Sequence, residues 1–134
     1  MRHRIKKKKL GRLSSHRQAL IRNLLRSLFL DGQITTTQTK AKEVKRWADK
    51  SINKAQENTV HSKRELHKIF GKTDVVNALV DKIAPVLNDR KSGFTTISQV
   101  GRRRGDNVMM YRLELVKKPA KLGSFQVESK QEKK

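Results

Sequence analysis

The segment ALIRNLLRSLFLDGQITTT, from Ala19 to Thr37, joins a helical pattern to a strand pattern. Its first half repeats leucine and isoleucine at spacings of three and four residues, which predicts an amphipathic helix with one apolar face. Asp31 and Gly32 then form a typical helix stop. The segment from Gln33 to Thr37 is short and rich in β-branched residues, which predicts a strand. The chain is therefore expected to combine helices with strands.

The first helix is predicted to begin just before this stretch, and three further helices follow it. Ser15 and Gln18 have the spacing of a capping box that would begin the first helix. Apolar residues at helical spacing cover Gln38 to Gln56 and Thr59 to Phe70. A fourth helix follows and should kink or end near Pro85, because proline does not fit a helix interior.

The last folded portion is predicted to be a β-hairpin. Phe94 to Val100 is β-branched and aromatic, and Val108 to Val116 alternates apolar and polar side chains with a period of two. The sequence thus predicts an α+β fold of about four helices packed on a small sheet, made of one short strand plus this C-terminal β-hairpin. We expect an extended basic N-terminal arm over 1–13, a folded domain over 14–116 and a flexible tail over 117–134.

Composition narrows the function. The 134 residues include 33 Lys and Arg against 12 Asp and Glu, a net charge of +21. Such a charge repels itself in a compact monomer, so a polyanionic partner is expected. The chain has no cysteine, which excludes disulfides and thiolate metal sites and suits a cytosolic protein. No membrane span and no secretory signal are predicted.

Positive charge is concentrated at the start of the chain. Residues 1–30 carry ten Lys and Arg and no acidic residue, so the arm needs an anionic partner. Arg22 and Arg26 continue it along the polar face of the first helix, and the consecutive arginines Arg102 to Arg104 stand in the hairpin loop. A solvated helix face or loop tip is the alternative for each group. On a chain this basic we predict phosphate contacts instead.

No catalytic or metal-binding constellation is predicted. His16 could be imagined as a general base, but nothing near it in the sequence supplies an orienting acid or an oxyanion hole. His61 and His67 are spaced so that they diverge on one helix. With scattered acids and no cysteine, a metal site is not expected. We therefore expect a binding protein rather than an enzyme, with no cofactor and no small-molecule substrate.

The residues alone leave the kind of nucleic acid open. Trp47 could stack on a base, but it lies beside the apolar stripe of the second helix and is expected in the core. No zinc finger, leucine zipper or pair of RNP motifs is present to select bases. Charge and shape therefore predict binding to folded nucleic acid. A nucleoid-type or general DNA-binding protein is the alternative, and a membrane-active cationic protein fits the predicted hairpin and helices poorly.

Sequence motifs add a family resemblance. In order and at matching spacing, the chain contains MRHR, LGR, SSHRQALIRNL, ITTT, KAKE, AP, GFTTI and GRRRGDNVMMYRLELV. From Met1 to about Val116 it resembles the bacterial large-subunit ribosomal protein number seventeen family. The resemblance implies a cytoplasmic structural protein of the large ribosomal subunit that contacts large-subunit rRNA near the peptide exit region. It also implies contact with neighbouring ribosomal proteins, including large-subunit protein thirty-two.

Charge and resemblance together define the predicted rRNA-binding residues. Those that match the family's motifs lie in the basic N-terminal segment, after the first strand and in the hairpin loop, where Gly105 also matches. Lys6 to Lys9 match in charge and not in detail. The predicted residues are Arg2, His3, Arg4, Lys6, Lys7, Lys8, Lys9, Arg12, His16, Arg17, Arg22, Arg26, Lys40, Lys42, Arg102, Arg103 and Arg104.

Overall fold

The computed structural model describes His3 and residues 8–119. Five α-helical elements, one π-helical segment and three strands follow one another in this part of the chain. In order they are α1 (Ser14–Asp31), β1 (Gln33–Thr37), α2 (Gln38–Gln56), α3 (Val60–Phe70), α4 (Thr73–Asn77), the π segment (Ala78–Ile83), α5 (Ala84–Val86), β2 (Thr95–Arg102) and β3 (Met109–Leu115). The predicted α+β fold is confirmed, since α4, the π segment and α5 together occupy the place of the fourth predicted helix.

Helix α1 begins differently from the prediction and ends as predicted. Its N-cap is Leu13, with no side-chain cap, so the capping box predicted at Ser15 and Gln18 is wrong. The helix starts one residue before Ser15, which places that hydroxyl inside the first turn instead of at the cap. At the other end Gly32 takes a left-handed conformation with φ 77° and its amide donates to the Leu28 carbonyl at 2.8 Å.

A capping box does exist at the start of α3. The Thr59 side chain accepts a hydrogen bond from the Ser62 amide, and the Ser62 hydroxyl oxygen accepts one from the Thr59 amide, both at 3.1 Å. Gly71, with φ 66°, ends the helix. These reciprocal bonds satisfy backbone groups that a helix start otherwise leaves unpaired.

The fourth helical stretch is not regular. The amide of Ala84 donates to the carbonyl of Leu79, five residues back, which defines the π segment. Pro85 follows at once, in the short helix α5, and helical structure ends at Val86. The predicted disturbance near Pro85 is therefore confirmed, and it includes a wider helical turn on its N-terminal side.

The three strands form one antiparallel sheet in the order β1-β3-β2. Ile34 of β1 and Ile97 of β2 both pair with Leu113 of β3. The predicted hairpin is confirmed, with a bulge between Gln99 and Gly101. The last strand thus lies in the middle and joins the two others.

Helices α1 to α3 and the π segment share one apolar core with the sheet. Phe29 and Phe70 meet edge to face at its centre, with ring centroids 5.6 Å apart. Trp47 is not part of this core, contrary to the prediction, and 36% of it is exposed. The neighbouring stripe residues Val44 and Ala48 are fully buried, so the indole projects from the edge of the buried face. Its ring lies 5.3 Å from the Lys50 ammonium nitrogen.

Candidate nucleic-acid interface

The basic N-terminal segment is described only in part. Arg2, Arg4, Lys6 and Lys7 lie outside the described residues, whereas His3, Lys8 and Lys9 are exposed. Just before α1 the chain turns: the Arg12 amide donates to the Lys9 carbonyl at 3.1 Å, and Leu10 and Gly11 both have positive φ. This part of the predicted extended arm is therefore a turn, with Arg12 half-buried and its Nη1 donating to the Leu10 carbonyl.

The first three turns of α1 carry three of the predicted residues, His16, Arg17 and Arg22. His16 is exposed, and Arg17 Nη1 donates to the Arg12 carbonyl at 3.3 Å, which ties the helix to the preceding turn. Arg22 is half-buried and makes no hydrogen bond or ion pair within the described part of the chain. Arg17 and the turn that contains Arg12 therefore form one connected basic region.

Arg26 has internal partners. Its Nε donates to the Phe70 carbonyl at 2.9 Å, its Nη2 donates to the same oxygen, and its Nη1 donates to Asn23 Oδ1 at 3.3 Å. The Phe70 carbonyl belongs to the last turn of α3, where backbone acceptors lack helical donors. Arg26 thus caps a second helix, a role that charge spacing along α1 did not reveal. Its predicted phosphate contact stays a prediction.

Strand register brings two other predicted groups to one end of the sheet. Thr37 pairs with Met110, and Met110 pairs with Gly101. Because α2 follows Thr37 directly and the hairpin loop follows β2, the start of α2 and the loop lie at the same sheet end. Lys40 and Lys42 stand on the first turns of α2, half-buried and exposed respectively. With Arg102 to Arg104 they form what we call the sheet-end basic patch.

The hairpin loop is held by a carboxylate. Asp106 Oδ1 accepts from Arg103 Nε at 3.1 Å and from the Val108 amide at 3.3 Å, and its Oδ2 accepts from Arg103 Nη2. The hydrogen bond from Arg103 is the main reason that the pKa of Asp106 falls to about 2. Backbone bonds between Arg103 and both Val108 and Asn107 close the loop. Arg102 Nη1 donates to the Asn107 carbonyl at 3.3 Å.

Other acidic side chains are neutralised by lysines on the surface. Glu65 accepts a hydrogen bond from Lys54, which lowers the pKa of this carboxyl, and Asp89 accepts one from Lys117 with the same effect on its pKa.

Within residues 8–119 no three His, Cys, Asp or Glu side chains cluster as a metal site would require. In the same residues, none of the helices combines the length and apolarity that a bilayer crossing needs.

Comparison with known proteins identifies the family. Residues 20–116 match the family described as Ribosomal protein L17. The chain is 44% identical over 114 residues to the large ribosomal subunit protein bL17 of Borreliella burgdorferi, covering 85% of this chain and 93% of that protein. It is 48% identical over 109 residues to the bL17 protein of Finegoldia magna, covering 81% and 83%. The bL17 protein of Anaeromyxobacter dehalogenans is 43% identical over 116 residues, covering 87% and 72%. The resemblance seen in the sequence motifs is thereby confirmed, and the chain belongs to the ribosomal protein L17 family.

Proposed function

We propose that this protein is a structural, non-catalytic component of the large ribosomal subunit in the cytoplasm and that it binds large-subunit rRNA. The observation that carries the proposal is the sheet-end basic patch, formed by Lys40, Lys42 and Arg102 to Arg104 in a member of this family with a net charge of +21. Cations from two elements that are distant in sequence lie there at the same end of one sheet. Such a scaffold can hold RNA helices in a fixed relative position while it screens their mutual repulsion.

The binding is chiefly electrostatic. Each phosphate that a lysine or arginine neutralises releases condensed counterions, so affinity falls as salt rises. With six to ten such contacts, affinity is expected to fall by about 10³ to 10⁵ between 50 and 200 mM salt. The N-terminal segment from Arg2 to Arg17 and the face of α1 with Arg22 supply further contacts. Within the subunit we place the protein near the peptide exit region and in contact with protein thirty-two.

Competition separates this function from general DNA binding. A labelled large-subunit rRNA transcript is bound to the full chain at about 150 mM salt and challenged with unlabelled rRNA or duplex DNA of equal length. We expect the rRNA to displace the label at much lower concentration. Equal displacement by DNA would contradict the proposal and favour the nucleoid-type alternative.

Assembly provides a second test. Large subunits reconstituted with a chain that lacks residues 1–13 should lose this protein in a high-salt wash, whereas subunits with the full chain should keep it. Circular dichroism of the free variant is the control, since α1 starts at Ser14 and the folded domain should survive the deletion. Normal retention of the shortened chain would show that the arm is not needed for binding.

A further inference from the structure

The three arginines of the hairpin loop have unequal surroundings. Two nitrogens of the Arg103 guanidinium donate to the Asp106 carboxylate, and the Arg103 backbone closes the loop through Val108 and Asn107. A bidentate pair of this kind fixes geometry as well as charge. The side chain of Arg103 is therefore committed to the loop itself.

Arg104 differs from its neighbour. It is exposed, and within the described part of the chain its side chain makes no hydrogen bond or ion pair. The backbone amides of Arg104 and Gly105 also donate to no acceptor in this part of the chain. Gly105 has φ 106°, a conformation that other residues rarely adopt. Arg104 and Gly105 are both exposed, so the tip has a guanidinium and two backbone amides that are not used within this part of the chain, and phosphate oxygens accept from donors of these kinds.

We propose that Arg104, with the amides of Arg104 and Gly105, is the phosphate-binding group of this loop, and that Arg103 and Asp106 are positioning residues that shape it. The proposal rests on the proposed rRNA-binding function and assigns different tasks to Arg103 and Arg104, two neighbouring arginines that the sequence treats alike. It also explains why an acidic side chain stands in a loop that faces a polyanion. The Arg103 guanidinium compensates the charge of Asp106 locally, so the loop gains order without a net repulsive charge.

Preorganisation has a specific consequence for selectivity. A loop held in one shape presents its donors at fixed positions, which favours a folded RNA of matching form over an arbitrary duplex. A loose loop with the same charge would still attract phosphates, but it would do so with less regard to their arrangement. Arg103 should therefore govern the preference for rRNA, and Arg104 should govern the number of phosphates neutralised.

Matched substitutions in the full chain test this division. Arg104→Gln should lower the salt slope of rRNA binding by about 1, as one phosphate contact is lost. Arg104→Lys should keep the slope and the preference for rRNA over duplex DNA, because an ammonium also binds phosphate. Arg103→Lys keeps the charge but cannot form the bidentate pair. It should reduce the rRNA preference severalfold while the salt slope stays within about half a unit of the original.

Several outcomes would overturn the inference. If Arg103→Lys and Arg104→Lys behave alike, the loop arginines share one role. If Arg104→Gln leaves the salt slope unchanged, Arg104 contacts no phosphate. Amide NMR spectra of each variant would show whether changes are confined to the loop and so rule out a global folding defect. The proposed function is tested separately by the unmodified chain: if that chain shows no preference for rRNA, the function fails, whereas a preference that these variants do not alter refutes only the assignment within the loop.

Discussion

Arg26 on α1 donates a hydrogen bond to the Phe70 carbonyl at the end of α3, so one guanidinium connects two helices that meet in the core. Phe70 also packs edge to face on Phe29, three residues beyond Arg26 in α1. The contact between these helices therefore has a polar part at its rim and an aromatic part at its centre. Arg22, one turn earlier, shows no such bond within the described residues.

Arg26→Gln is expected to destabilise the fold, and Arg22→Gln is the matched control with the same change in charge. Loss of charged hydrogen bonds to a backbone carbonyl should lower the free energy of unfolding by about 1.5 to 3 kcal/mol. The control should stay within about 0.5 kcal/mol of the original chain. Urea denaturation followed by circular dichroism measures both. Equal effects of the two substitutions would show that the Phe70 bond contributes nothing specific.

Phe29→Ala should remove the aromatic part of the same helix contact. Phe29 is fully buried and packs on Phe70, so truncation leaves a cavity and should cost about 3 to 5 kcal/mol. Val60→Ala provides a control, because Val60 is 66% exposed and should change stability by less than about 0.5 kcal/mol. Thermal unfolding of both variants is the measurement. If Phe29→Ala lowered the free energy of unfolding by less than about 1 kcal/mol, Phe29 would not be a central residue of the core.

Thr59, which caps α3, and Ser15, which caps no helix, should respond differently to substitution. Thr59→Ala removes an observed capping box and should cost about 1 kcal/mol. Ser15→Ala alters a position that makes no cap in the structure, so its effect should be close to zero. Denaturant midpoints at equal slope provide the comparison. A larger loss at Ser15 would mean that the start of α1 differs from the one described.

The Arg103 and Asp106 pair predicts a pH dependence of loop order. The pKa of Asp106 lies at about 2, below its ordinary value of 3.8. The stabilisation that the ionised carboxylate gives the loop is therefore fully present at pH values above 3.8 and is lost as the pH falls through about 2. The carboxyl NMR shift of Asp106 should therefore stay nearly constant as the pH falls from neutral to 3.8 and should change around pH 2. In Arg103→Gln the midpoint should rise towards 3.8. An unchanged midpoint in that variant would refute the pair.

Much of the fold could be predicted because its signals are local. The bounds of β1 and α2 follow from β-branched residues and from apolar spacing, and Gly32 and Gly71 end helices through a backbone conformation that glycine favours. The predicted cap of α1 is wrong, since a serine inside the first turn of a helix looks the same in sequence as one at the cap. The exposure of Trp47 also escaped prediction. It depends on where the packed face ends, which neighbouring helices decide.

The candidate site was predictable in its charge and not in its arrangement. Basic residues in α2 and in the hairpin loop were identified from the sequence, but their meeting at one sheet end depends on the pairing of Thr37 with Met110. That pairing joins parts of the chain that are far apart, and no local pattern encodes it. The internal role of Arg26 escaped for the same reason, because its acceptor is on another helix. The ion pair in the loop does have a local signal, because Arg103 and Asp106 are only three residues apart in the sequence.

The central place of β3 sets the order in which the molecule can be completed during its synthesis. Ile34 emerges early but finds its partner Leu113 only when nearly the whole domain has been translated. Until then β1 is an unpaired strand beside nascent helices, and a chain truncated before Met109 would leave both outer strands without the one they share. During synthesis the sheet of this protein can therefore be completed only after all of its helices have been made.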